Sequence, residues 1–380
     1  MILYFKKKHF LLFNHGNKGG AFISGQTIQL DPKIVCKYID DRRQELAEAI
    51  VDRQYRFQPE FWEPYGEQGR RQSVLDAGFH LSYLSEAISA SDISLFTGYI
   101  AWVKVLFKSL KFPTDIIVTT LKCVGKVLNE QLPQEMRPIV SEYIDAGLDM
   151  ISNAPDAPPS FLDDKAPQGG LAGEYLKRLL VNDRRGALRL IMDAVDSGLS
   201  IRDIYLQVFQ PTQYEVGRLW QTNQISVAQE HYCTAATQLI MAQLYPRLFS
   251  EERTGLKLIA VCVEEELHEL GIRMVADFFE MEGWDTIYLG ANTPARSVLR
   301  TLKENKVDVL AISATMTFHV SKVKELIEAV RSDEATRHIK IIVGGYPFNN
   351  SPGLWRHVGA DGFAGDAREA VEIAKKLAGT

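Results

Sequence analysis

The chain has 380 residues, 46% of them hydrophobic and 24% charged, enough apolar material for at least two separate cores. A formal net charge of −5 excludes a partner held mainly by electrostatics, such as nucleic acid or an anionic membrane surface. Cys36, Cys123, Cys233 and Cys262 show no zinc-type pairing and fit a reducing, cytoplasmic setting, and no apolar run reaches the roughly 18 residues of a membrane helix.

Lys6-Lys7-Lys8 precede an apolar run too short for a signal peptide, so residues 1–27 read as a disordered arm or an over-extended start. Residues 28–152 carry helical periodicity and no strand signal. Residues 40–57 open the pattern, Ser91-Asp92 supplies a cap for a helix over 93–110, and Pro113, Pro133 and Pro138 mark later helix starts. Residues 153–170, with four prolines and several small or acidic residues, form a linker.

Residues 171–250 predict four more helices. Ser197-Gly198 ends the second, Ser200 caps 201–209, Pro211 opens a helix reaching Trp220, and Ser226-x-x-Gln229 is a capping box for the last. The turn between these last two is short, so they form an antiparallel hairpin with Trp220 and Glu230 near its loop end.

Residues 255–380 alternate strands with amphipathic helices. The run Leu258-Ile259-Ala260-Val261-Cys262-Val263 has no breaker and suits a fully buried parallel strand. Segments at 286–289, 307–312, 339–343 and 362–364 complete five strands, so a parallel, flavodoxin- or Rossmann-like sheet in the order 2-1-3-4-5 is the default. In that order His268 ends the first strand's loop and Ser313 the third strand, and both flank one crevice beside Gly344-Gly345.

Glu266-x-His268-x-x-Gly271, Ser313-x-Thr315 and Gly344-Gly345 together resemble the signature of cobalamin-binding domains. The resemblance implies that His268 is the lower axial ligand to cobalt, in place of the cofactor's own base. The released nucleotide tail would then lie beside Ser313, Thr315 and the two glycines. Each residue type suits its part: a carboxylate two positions away can hold the second imidazole N–H, and Gly271 permits close approach of the corrin. Glu266 stands where that family commonly has Asp, and Thr315 where it commonly has Leu.

Trp220-x9-Glu230-His231 resembles the motif of cobalamin-dependent light sensors, in which the tryptophan and glutamate meet the adenosyl group on the upper cobalt face. Residues 171–250 would then be a four-helix cap over the corrin. Gln221 replaces the histidine that follows the tryptophan in those sensors, leaving His231 as the candidate second ligand, and their DNA-binding domain is replaced here by the first helical segment. His80-x-x-Tyr83 and Tyr99-x-x-Trp102 resemble globin-like sensor modules, including those of photocobilins. That resemblance implies a non-covalent biliverdin-type bilin held by His80, Tyr83, Tyr99 and Trp102, with Arg70 or Arg71 for its propionates.

The expectation is therefore a multidomain chain: an all-α globin-like domain, a helical cap and an α/β cobalamin domain, with no catalytic residues of its own. Its function would be light sensing through adenosylcobalamin, signalled by self-association as a dimer or through a separate downstream protein, without direct DNA or membrane binding. The alternatives are a corrinoid carrier of a methyltransferase system and a light-independent cobalamin-sensing adaptor.

Overall fold

The structure, a computed structural model, describes residues 31–249 and 252–379; the arm expected at 1–27 lies outside them. The described residues divide into two compact units between Pro158 and Pro159.

The first unit is helical throughout its described residues. Its helices are α1 (Pro32–Asp41), α2 (Arg43–Phe57), α3 (Pro59–Trp62), α4 (Gly66–Ser89), α5 (Ile93–Ser109), α6 (Thr114–Gln131) and α7 (Arg137–Asn153). The Asp92 side chain caps α5 by accepting the Ser94 N–H at 2.9 Å, while Ser91 takes φ 51° in the turn before it. The core draws on α1, α2, α4, α5, α6 and α7, and part of it lies where α4 and α5 face each other. Tyr83 and Tyr99 stack with ring centroids 3.7 Å apart, and His80 Nδ1 lies 2.8 Å from the Tyr99 hydroxyl.

In the second unit, helices come first: α8 (Gly169–Leu180), α9 (Arg184–Asp196), α10 (Ile201–Asp203), α11 (Gln210–Gln221) and α12 (Val227–Leu244). Pro211 does not start a separate helix. Residues 201–221 run on without a break, because Ile204–Phe209 is π-helical and the Gln210 N–H reaches the Tyr205 carbonyl. Widening the helix by one residue admits a proline that lacks an N–H to donate. The capping box at Ser226 and Gln229 forms in both directions.

The sheet comprises β1 (Lys257–Val263), β2 (Asp285–Thr293), β3 (Val309–Ser313), β4 (Lys340–Gly344) and β5 (Gly362–Ala364). All pairs are parallel, in the order β2-β1-β3-β4-β5. Every β3 residue is buried, as befits a strand covered on both faces. Helices α13 (Leu270–Met281), α14 (Ala295–Glu304), α15 (Val320–Ser332), α16 (Tyr346–Asn350), α17 (Leu354–His357) and α18 (Ala367–Ala378) make the crossovers. Strand β2 runs four residues beyond the expected segment, past a register shift and Gly290 at φ 75°, which carries Asn292 up beside the loop after β1.

Contacts between the helices and the α/β part include polar pairs beside the packing of Tyr205 against Phe278. Tyr205 donates to Asp277 at 2.8 Å, Arg202 pairs with Glu282, and Gln238 of α12 donates to Glu269 at 2.9 Å. Among the described residues no helix is long and apolar enough to cross a membrane.

Candidate functional site

The site is the loop between β1 and α13 together with the loops after β2, β3 and β4. Cys262 pairs with Ser313, and Ser313 with Gly344, so the strand ends lie side by side at the switch point of the sheet.

Glu266 organises the loop. It is fully buried, and its two carboxylate oxygens face five groups of the site. One takes the His268 backbone N–H at 3.0 Å and faces His268 Nδ1 at 2.5 Å. The other accepts the Thr315 N–H at 2.7 Å and the Met316 N–H at 3.0 Å, and faces His319 Nδ1 at 2.9 Å. Burial pushes the Glu266 pKa up, but the charge and hydrogen bonds of His268 and then His319 outweigh it and hold the carboxyl well below its usual range.

An ionised carboxylate only accepts, so Nδ1 of His268 is the nitrogen that donates to it, and in the neutral imidazole Nε2 is then the one with the lone pair. That is the tautomer a metal ligand requires. The His268 ring is 16% exposed, whereas Glu266 beneath it is sealed from solvent. Leu267 and Tyr288, 43% and 38% exposed, offer apolar surface around it, and Tyr288 donates to Glu269 at 3.0 Å.

Around this centre the loop is fixed from three sides. The Glu265 N–H donates to the Asn292 side chain at 2.8 Å, and Asn292 N–H returns to the Glu266 carbonyl at 2.9 Å. Glu269 takes Gln238 from α12 and the Ala291 N–H from the end of β2. Lys322 pairs with Glu265 at 3.1 Å.

The glycines divide in their reasons. Gly345 has φ 102°, and a Cβ there would lie 2.1 Å from the Ala314 carbonyl oxygen, so the loops after β3 and β4 can meet only through glycine. A Cβ on Gly344 would come within 3.0 Å of the Ala364 carbonyl. A Cβ on Gly271 would meet nothing within 4 Å, so the protein's own packing does not demand that glycine and the space beside the loop stays open. Ser313 and Thr315 are 9% and 8% exposed, and the part Thr315 plays within the protein is its backbone N–H to Glu266.

Residues 256–375 match the model of the B12 binding domain, and residues 171–245 match a second B12 binding domain model. Residues 171–375 form a B12-binding module. The chain is 27% identical over 214 residues to a corrinoid protein of Desulfitobacterium hafniense, covering 55% of this chain and 98% of that one. It is 28% identical over 207 residues to monomethylamine corrinoid protein 1 of Methanosarcina mazei, covering 52% and 93%. The structure of the Methanosarcina barkeri monomethylamine corrinoid protein shares the fold, with a TM-score of 0.50, 22% identity and coverage of 55% of this chain and 99% of that one.

The structure brings Glu266, His268, Ser313, Thr315, Gly344 and Gly345 of the B12-binding module to one sheet edge, with Gly271 in the first turn of the following helix. Three participants carried no recognised pattern in the sequence: His319, Asn292 and the pair Gln238–Glu269. His319 lies six residues after Ser313 in Ser313-Ala314-Thr315-Met316-Thr317-Phe318-His319, a spacing that gains meaning only once the loop folds back over Glu266.

The helical half of the module places the hairpin residues as follows. Trp220 and Glu230 are 2% and 3% exposed, and Glu230 is already engaged, facing His231 Nδ1 at 2.5 Å and accepting the Thr234 hydroxyl at 2.9 Å. His231 faces Glu230, with its side chain 45% exposed. Gln221 is fully buried.

In the first unit the four residues assigned to a bilin are all buried. A cavity of about 190 Å³ is lined by Trp62, Tyr65, Gln72, Asp76, His80 and Phe112 among others, but not by Tyr83, Tyr99 or Trp102. Those three aromatics are core, because stacking Tyr83 on Tyr99 buries both rings between α4 and α5. Arg70 pairs with Asp52, and Arg71 with Glu67 at 2.7 Å. Burial pushes the His80 pKa down to about 4, so its ring is neutral.

Proposed function

We propose that this protein is a corrinoid-holding protein of the carrier kind, which binds cobalamin with His268 as the lower cobalt ligand and presents the bound group to a separate partner. One observation carries the reading: a fully buried, ionised Glu266 fixes His268 in the tautomer whose Nε2 can ligate. The donor set fits the cofactor. Glu266 and His268 would hold the cobalt from below, Leu267 and Tyr288 would flank the corrin, and Ser313, Thr315, Gly344 and Gly345 would line the path of the nucleotide tail. When bound, such a cofactor supplies a labile cobalt–carbon bond, the basis of both alkyl transfer and light sensitivity. The relatives named as corrinoid and monomethylamine corrinoid proteins support the carrier reading. The setting proposed is the cytoplasm.

A second reading has its own support: a light sensor using adenosylcobalamin. Trp220 and Glu230 sit at the hairpin of α11 and α12, and an extra helical unit precedes the B12-binding module. In that reading the cavity beside His80 and Asp76 takes a bilin, and the output is a change in self-association.

Affinity separates the two. A carrier tolerates exchange of the upper group, so methylcobalamin and adenosylcobalamin should bind within about 10-fold of each other, and illumination should leave the protein's size unchanged. A marked adenosyl preference lost in Trp220→Ala, with a light-dependent change in scattering, overturns the carrier reading in favour of the sensor. Biliverdin retained after gel filtration, with its absorbance shifted, would place the bilin.

A further inference from the structure

We infer that the cavity in the first unit is a binding site for a small organic ammonium ion, held among aromatic rings with the Asp76 carboxylate beside it. The inference stands apart from the assignment of His268, since every residue it uses lies in the first unit.

The cavity has a volume of about 190 Å³, more than the roughly 150 Å³ that suffices for a benzene ring. Four aromatic residues line it: Trp62 from α3, Tyr65 from the turn after α3, Phe107 from α5 and Phe112 from the loop after α5. Other rings hold these in place. Phe61 and Phe107 each meet Phe112 edge-on, with centroids 5.0 and 5.4 Å apart, and Tyr55 stacks on Trp62 at 5.8 Å. The faces of such rings are negative and attract a cation, most strongly where water is excluded.

The polar groups choose the sign of the charge. Among the described residues that line the cavity, Asp76 is the only Asp, Glu, Lys or Arg, and Gln72 donates to it at 3.1 Å. Arg70 and Arg71 lie outside that lining, where they pair with Asp52 and Glu67. Burial pushes the His80 pKa down to about 4, so this ring brings no competing positive charge. An anionic ligand, such as a bilin with its two propionates, would meet the carboxylate with no cation in that lining to offset it. A neutral apolar ligand would gain nothing from Asp76. An organic ammonium ion gains from the rings and from the carboxylate together. His80, 5% exposed, adds a place for a hydroxyl. Its Nδ1 is engaged with the Tyr99 hydroxyl at 2.8 Å, which leaves Nε2 for a ligand. A hydroxyl both donates and accepts, so it can meet Nε2 in either tautomer.

The test is isothermal titration calorimetry of the full chain with choline and with neohexanol, an alcohol of the same shape in which carbon replaces the charged nitrogen. Choline should bind at least about 10-fold more tightly than the alcohol, the scale of a desolvated contact between a cation and aromatic faces. Asp76→Asn should weaken choline binding about 5-fold, as for a partly exposed ion pair, and leave neohexanol unchanged. Tyr65→Leu, which removes a half-exposed ring of the lining, should weaken choline binding by about 2–5-fold. Circular dichroism and an unchanged affinity for hydroxocobalamin show that each variant is folded; if Tyr65→Leu is not, Asp76→Asn decides alone. Choline that does not bind, neohexanol that binds as well as choline, or an Asp76→Asn chain with wild-type affinity for choline overturns the inference. Biliverdin that the chain retains and that an excess of choline does not displace overturns it in favour of a bilin.

Discussion

Replacing Glu266 by Gln tests the site at its centre with almost no change of shape. The wild-type carboxylate faces two groups through one oxygen and three through the other, all of them donors. A glutamine must turn its amide nitrogen toward one side. Turning it toward the three-donor side would set a donor against Thr315, Met316 and His319 at once, so the nitrogen faces His268. His268 Nδ1 then becomes an acceptor and its proton moves to Nε2, the atom that must keep a lone pair. The His268 backbone N–H is left facing another donor, at a cost of about 1–3 kcal/mol. Cobalamin binding should weaken by at least the roughly 10–100-fold associated with losing a ligand's partner, with the larger value expected because the tautomer changes as well. Absorbance titration with hydroxocobalamin measures the affinity, and thermal unfolding of the cofactor-free protein measures the lost stability. An E266Q protein that binds as tightly as wild type and keeps its histidine-ligated spectrum would refute the reasoning.

Three other outcomes follow from the same coordinates. Burial pushes the Asp277 carboxyl up to about 6, against the Tyr205 hydrogen bond and the Arg273 charge. A folded-state pKa raised above the unfolded value means that stability present below about pH 4 is lost as pH rises through about 6. Asp277→Asn, which can still accept from Tyr205, should therefore flatten that decline and be more stable than wild type above pH 6, by up to about 3 kcal/mol for a shift of about two units; denaturant titrations across pH 4–7 would show it. Gly345→Ala should destabilise by roughly 2–4 kcal/mol, since its Cβ would meet the Ala314 carbonyl at 2.1 Å and its φ of 102° is strained for alanine, and urea midpoints would reveal a tolerant site if the loss is below that. Ser226→Ala breaks the capping box of α12 and should cost about 1 kcal/mol by the same assay.

The α/β half was legible because its signals are local and repetitive. A breaker-free apolar run marks a buried strand, five such runs alternating with amphipathic helices mark a parallel sheet, and strand order then brings Glu266, His268, Ser313 and Gly345 together. What stayed hidden depends on loops folding back in three dimensions. His319 reads as an ordinary residue in a helix-start sequence until the loop after β3 closes on Glu266, and Asn292 reaches the site only through the register shift in β2. Pro211 misled because a π-helical turn, which no residue pattern announces, absorbs it inside a continuous helix. In the first unit, aromatic residues at helical spacing marked the helices but no pocket: Tyr83 and Tyr99 stack on each other, while the cavity beside His80 is lined from α2, α3, α4, α5 and α6, which no local pattern announces.

The central claim is that His268 Nε2, set by Glu266, is the lower ligand to cobalt. It is tested most directly by electron paramagnetic resonance of the protein loaded with cob(II)alamin after growth on isotopically labelled histidine. Axial nitrogen splitting is expected that changes its multiplicity with the label and disappears in His268→Ala. Splitting that ignores the label would show that the cofactor keeps its own base on cobalt, and would contradict the claim.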